Sequence, residues 1–143
     1  MLDANQQPQV LEAMTALQET IFKNNVAKGW WEKRDIKSVD CQLGLLMLIV
    51  SEAAEGCEEI RKGMPKYYTN KNLTNGVVPM LSWERPLQAP PEAKPEGIGS
   101  ELADIVIRCF DMAGGLGLNL GECVVAKMRY NETREHRHGG KLA

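Results

Sequence analysis

Apolar residues recur along this chain at helical rather than strand spacing. Val10, Met14, Leu17 and Ile21 fall three or four residues apart, which puts them on one side of a helix. Pro8 suits a first helical turn, so the spacing predicts a helix over residues 8–24. A second helix is predicted over residues 38–62, with Ser38 as N-cap and Gly63 and Pro65 as stop signals. Residues 43–50 within it are apolar nearly all round, the pattern of a helix half buried in a bundle. A third helix is predicted over residues 100–114, with Ser100 as N-cap and with Leu102, Ile105, Cys109 and Met112 on its buried side. The fourth begins at Asn119, where Asn119-x-x-Glu122 resembles a capping box, and runs to Glu135. The short GGLGLN link makes helices three and four antiparallel neighbours.

The stretch between helices two and three has a different character. Residues 64–99 hold every proline except Pro8, together with Asn70, Asn72, Asn75 and Gly76. That composition predicts a long loop insertion or a short hairpin around Asn75-Gly76. The expected architecture is all-α, a bundle of four to five helices forming one domain over residues 1–143.

Composition narrows the function classes. Apolar residues make up 43% of the 143 positions and charged residues 25%, a globular balance that can bury a core without staples. A formal charge of −2 gives no field that would draw nucleic acid or a membrane to the chain. Cys41, Cys57, Cys109 and Cys123 form no CxxC knuckle, and each has apolar neighbours. Buried, reduced thiols are expected, and with them a cytoplasmic location. The first residues lack the basic and apolar regions of a signal peptide, and no apolar run is long enough to span a bilayer. GxGxxG, GxxxxGK[ST] and HExxH are all missing, so Rossmann, P-loop and zincin chemistry have no support.

Acidic residues carry the candidate chemistry. Glu52-x-x-Glu55 lies in the second helix, its members about 60° apart on one face. Glu59 continues that stripe, and Leu48 and Leu45 precede it. Glu101-x-x-Asp104 repeats the spacing in the third helix. Two such pairs facing each other would crowd four negative charges into one place, which disfavours ionisation unless a cation neutralises them. Hard oxygen ligands in that number suit Mg²⁺, with Mn²⁺ as a substitute. The alternative is a solvated charged face, with Asp104 paired to Arg108 one turn on and Glu55 set among Glu58 and Arg61. The pattern alone leaves both open.

Four strings together resemble the MazG-like nucleotide pyrophosphohydrolases, in particular the small phage and bacterial type. SEAAEGCEEIRKG is similar to the ExxE helix of that family, and PEGIGSELADIVIRCFDMAGGLGLNL to its ExxD helix and following turn. KMRYNETREHRHGGK is similar to the basic tail, and NNVAKGWWE to the aromatic segment ahead of the ExxE helix. The resemblance implies a homodimer or homotetramer. It implies Mg²⁺-dependent hydrolysis of a nucleoside triphosphate, deoxynucleotides included, at the α–β bond to a monophosphate and pyrophosphate. By motif match, Glu52, Glu55, Glu101 and Asp104 become metal ligands and catalytic residues. Lys127, Asn131 and Arg134 become substrate-side residues. Residues 64–97 depart from compact relatives, which leaves the base and sugar of the substrate open.

The remaining candidates have competing structural roles. Trp30 and Trp31 can stack on a base or fill a core. Asn25 can meet a base edge or cap a helix. Lys127, Asn131 and Arg134 fall on one helical face, facing phosphate or solvent. Two other functions remain: a pyrophosphohydrolase for phosphoribosyl-ATP or another nucleotide diphosphate on the same scaffold, and a non-catalytic helical module with a basic tail.

Overall fold

The computed structural model describes residues 6–69 and 93–135. The fold is mostly helical: four helices, with a small two-stranded hairpin region between the second and third. The elements are α1 (Gln6–Ala27), α2 (Val39–Arg61), β1 (Tyr68–Thr69), β2 (Pro95–Glu96), α3 (Ile98–Gly115) and α4 (Leu120–Glu132). No helix among the described residues is long and apolar enough to cross a membrane. The chain divides into two compact units, residues 1–34 with 110–143, and residues 35–109.

In the first unit α1 packs on α4. The short link turns the chain, and α1 supplies the surface that receives α4. Gly121 makes the close approach, since a β-carbon there would stand 3.1 Å from Met14 Cβ. The link is clamped by polar side chains of α1. Gln18 Nε2 donates to the Leu118 carbonyl at 2.7 Å, and Gln18 Oε1 accepts from the Leu120 N–H at 3.0 Å. The capping box forms as expected in its first half, with Asn119 Oδ1 accepting from the Glu122 N–H at 3.1 Å. Asn119 Nδ2 also donates to Thr15 Oγ1 at 3.2 Å, so one side chain caps α4 and ties it to α1. The helix ends at Glu132, three residues short of the expected end, leaving Arg134 beyond its C-cap Thr133.

In the second unit α2 begins after Ser38 as expected, although the Ser38 hydroxyl makes no capping bond. Gly63, at φ +64, closes the helix. The start of α3 differs from expectation. Ser100 lies inside the helix and is buried, its hydroxyl donating to the Pro95 carbonyl at 3.3 Å. The Gly97 carbonyl accepts from the N–H groups of Ser100 and Glu101 and opens the helix in its place. Gly97 has φ +92, and a β-carbon there would lie 2.7 Å from the Pro65 carbonyl oxygen, so glycine alone fits. β1 and β2 pair antiparallel, Tyr68 with Glu96 and Thr69 with Pro95. The anticipated turn at Asn75-Gly76 lies outside the described residues.

Two helices expose more apolar surface than expected. Of the apolar half of α2, Leu45 is buried and Leu48 and Ile49 are half-buried. Val39, Leu43, Leu46, Met47 and Val50 are exposed, Leu46 by 47% and Val39 by 68%. On α3, Leu102 faces outward with Val106 and Ile107, while Glu101 is buried. Glu52 of α2 and Glu101 of α3 are buried, and Ile105, Cys109 and Met112 are half-buried. The cysteines follow: Cys57 and Cys123 are exposed rather than buried, Cys41 and Cys109 half-buried, and all four are free thiols.

Replacing Asn119 with Ala should lower stability by about 1 kcal/mol or somewhat more, because a cap and a tie to α1 are lost together. Asn119→Asp keeps the acceptor and should cost less. Thermal melts of the two variants check this, and equal losses would assign the effect to the Thr15 bond alone.

Candidate metal centre

The acidic site is built within the second unit, where α2 and α3 come close. Gly56 allows the approach: a β-carbon there would meet Ile98 Cδ1 at 2.8 Å and Glu101 Cβ at 3.5 Å. Across this gap α2 presents Glu52 and Glu55, and α3 presents Glu101. One carboxylate oxygen from each of these three lies within 4.8 Å of the others. Glu52 and Glu101 are buried, and Glu55 is exposed. The three could hold a metal ion, and an all-oxygen set fits a hard divalent cation.

Asp104, the fourth expected ligand, is half-buried nearby but is not one of the three that converge. Its carboxyl is held above the usual range, first by burial and then by the Glu52 charge, while Arg108 and Lys94 oppose the shift. The Asp104–Arg108 pair considered from the sequence is not what forms. Arg108 reaches across to α2, where its Nε donates to Glu52 Oε1 at 2.6 Å and its Nη2 converges on the same oxygen. Glu59, on the same stripe as Glu52, is engaged elsewhere and accepts from the buried Tyr68 hydroxyl at 3.0 Å. Burial, then that bond, pushes the Tyr68 phenol up to about 12. Lys94 stands at the edge, bonded to Glu96 at 2.8 Å.

Glu101 feels the crowding most. Burial, followed by the charges of Glu55, Asp104 and Glu52, pushes its carboxyl up to about 7. Without a cation, the site therefore keeps a proton near neutrality that an isolated glutamate would have lost.

The other expected site residues belong to the first unit and divide by role. Trp31 is structural. Its Nε1 donates to the buried Asp111 at 2.9 Å, its ring meets Phe22 edge to face at 5.3 Å, and it packs closely on Gly115. Arg34 lies 5.4 Å above the same ring and pairs with Asp111 at 3.8 Å. Trp30, 62% exposed, makes no such contacts among the described residues and leaves its ring open. Asn25 sits inside α1, where its carbonyl accepts from the Trp30 N–H at 3.1 Å. Lys127 and Asn131 are exposed on α4, whereas Arg134 lies past its end. Lys127 and Arg134 flank the exposed Tyr130 ring at 5.2 and 5.9 Å.

Arg108, Asp111 and Tyr130 were not singled out from the sequence, although each leaves a trace there. Arg108 is two turns from Glu101 on the same stripe, Asp111 interrupts an apolar run, and Tyr130 falls one turn from each of two cations. No family model, curated protein or solved structure matches the chain.

Glu101 sets a pH dependence. Its carboxyl is raised in the folded state, so the stabilisation is complete below the ordinary carboxyl range and is lost as pH rises through about 7. Metal-free protein should melt at progressively lower temperature over that interval. Glu101→Gln, which has no proton to lose, should flatten the slope, and an unchanged slope would assign the effect to other groups.

Proposed function

We propose that this chain is a Mg²⁺-dependent nucleotide pyrophosphohydrolase of the MazG-like type. It would cleave a nucleoside triphosphate, deoxynucleotides included, between the α- and β-phosphates. The observation that carries the reading is the convergence of Glu52, Glu55 and Glu101 across the α2–α3 gap. The motif resemblance supplies the reaction. In this reading the three glutamates hold the cation, and Asp104 completes the acidic set. A bound Mg²⁺ or Mn²⁺ would neutralise triphosphate oxygens and polarise the phosphoryl group under attack.

The residues of the chain then have separate tasks. Glu52 is buried between the helices and, in the absence of a cation, bonded to Arg108. Glu55, the exposed member, meets the incoming phosphates' counter-ion from the solvent side. Glu101 keeps a proton near neutrality in the metal-free site and would release it as a cation neutralises its neighbours, becoming a carboxylate ligand. Lys127, Asn131 and Arg134 are assigned to the phosphates, and Trp30 to the base, on the strength of the resemblance.

The test is a panel of ribo- and deoxynucleoside triphosphates with Mg²⁺, scored for monophosphate and pyrophosphate. Glu52→Gln and Glu101→Gln should each lower kcat on the order of a hundredfold or more with helical content retained. Wild-type turnover in Glu52→Gln removes the metal assignment. Release of orthophosphate with a nucleoside diphosphate points to a different bond.

The reading includes a homodimer or homotetramer, and the exposed side of α2 supports it. Val39, Leu43, Leu46, Val50, Ala53, Cys57 and Ile60 alternate at four- and three-residue spacing, and all are exposed. That is the seam of a paired helix. It lies on the side of α2 roughly opposite Glu52 and Glu55, so pairing leaves the acidic site open. Asp40 and Arg61 occupy the same flanking position at opposite ends of α2. An antiparallel pair would bring each toward the other's counterpart on the partner copy. Light scattering should give at least a dimeric mass, and Leu43→Glu with Leu46→Glu should reduce it to a monomer. A monomeric wild type at micromolar concentration refutes the pairing.

A further inference from the structure

Arg108 contacts Glu52 in an unusual way. A guanidinium commonly meets a carboxylate as a fork, one N–H to each oxygen. Here Nε and Nη2 both converge on Oε1. The two partners also differ in exposure. The Glu52 side chain is 7% exposed and enclosed, while that of Arg108 is 36% exposed and has a path to solvent. The carboxylate is enclosed, and the guanidinium borders solvent.

Charge decides what this contact does. Glu52, Glu55, Glu101 and Asp104 place up to four negative charges about one gap. Arg108 bonds Glu52 directly, while Lys94, bonded to Glu96, adds positive charge that Glu101 and Glu55 also feel. A divalent cation entering the gap would meet the guanidinium's positive charge at close range, which opposes binding.

We propose that Arg108 is a built-in counter-cation of the acidic site. It holds Glu52 in the metal-free protein, withdraws toward solvent when a divalent cation enters, and so sets how tightly the site binds metal. This rests on the reading that Glu52, Glu55 and Glu101 hold the cation. It assigns to Arg108 a positioning role that the carboxylate motif does not specify. A merely structural Arg108 would stabilise Glu52 in both states and leave metal affinity unchanged or higher than in its absence.

The experiment titrates Mn²⁺ into wild type, Arg108→Gln and Arg108→Lys, following free Mn²⁺ by its paramagnetic signal, alongside melts with and without metal. Arg108→Gln should bind Mn²⁺ about tenfold tighter or more, because a competing charge is gone. Arg108→Lys keeps the charge and should stay near wild type. Metal-free Arg108→Gln should melt below wild type, since Glu52 is left buried without a partner, and saturating Mn²⁺ should close that gap. Equal or weaker Mn²⁺ binding by Arg108→Gln, with wild type binding normally, overturns the proposal and leaves the metal site standing. No Mn²⁺ binding by wild type overturns both. If Arg108→Gln folds only in Mn²⁺, the proposal is supported; if it fails to fold there too, it is overturned.

Discussion

Repulsion among the carboxylates between α2 and α3 is the constraint on which the second unit depends. Buried like charges at such separations cannot all ionise without compensation. The unit compensates twice, with a guanidinium from Arg108 on Glu52 and a retained proton on Glu101. The arrangement also accounts for the apolar side chains that the two helices expose. With acids turned inward, Leu102 and Val106 of α3 and the Val39-to-Ile60 seam of α2 have only the outside left to occupy.

The first unit solves a buried-acid problem differently. Asp111 is enclosed, but it accepts an indole N–H from Trp31 and lies within reach of Arg34. Its partners are all supplied from within the unit. No buried side-chain nitrogen or oxygen among the described residues lacks a hydrogen-bond partner. Asp111 ties down the aromatic segment after α1, whereas three glutamates of the second unit converge on one another.

The helices were legible because their signals are local. The α4 cap at Asn119 and the α2 stop at Gly63 depend on neighbours within one turn, and both appear where the pattern put them. Ser100 misled because a glycine three residues earlier could take the turn, and only contact with Pro65 and Lys66 selects it. The grouping of Glu52, Glu55 and Glu101 was legible from repeated spacing beside apolar stripes. The partner of Arg108 was not, since the nearest acid on its own helix is Asp104 and the actual one lies on α2. Burial of the apolar half of α2 also failed, because hydrophobicity all round a helix does not say whether neighbours come from the same chain. Trp30 and Trp31 are adjacent in sequence and opposite in role, a distinction that depends on which one Asp111 receives.

Gly56 carries a consequence for the acidic site. At Gly56 the atoms nearest to where a β-carbon would stand are side-chain carbons of α3, Ile98 Cδ1 at 2.8 Å and Glu101 Cβ at 3.5 Å. A methyl group at this position would have to displace the tip of Ile98 and would press on the stem of Glu101. If the glutamates hold a cation, as proposed, the residue with no side chain is what leaves the stem of Glu101 room beside α2.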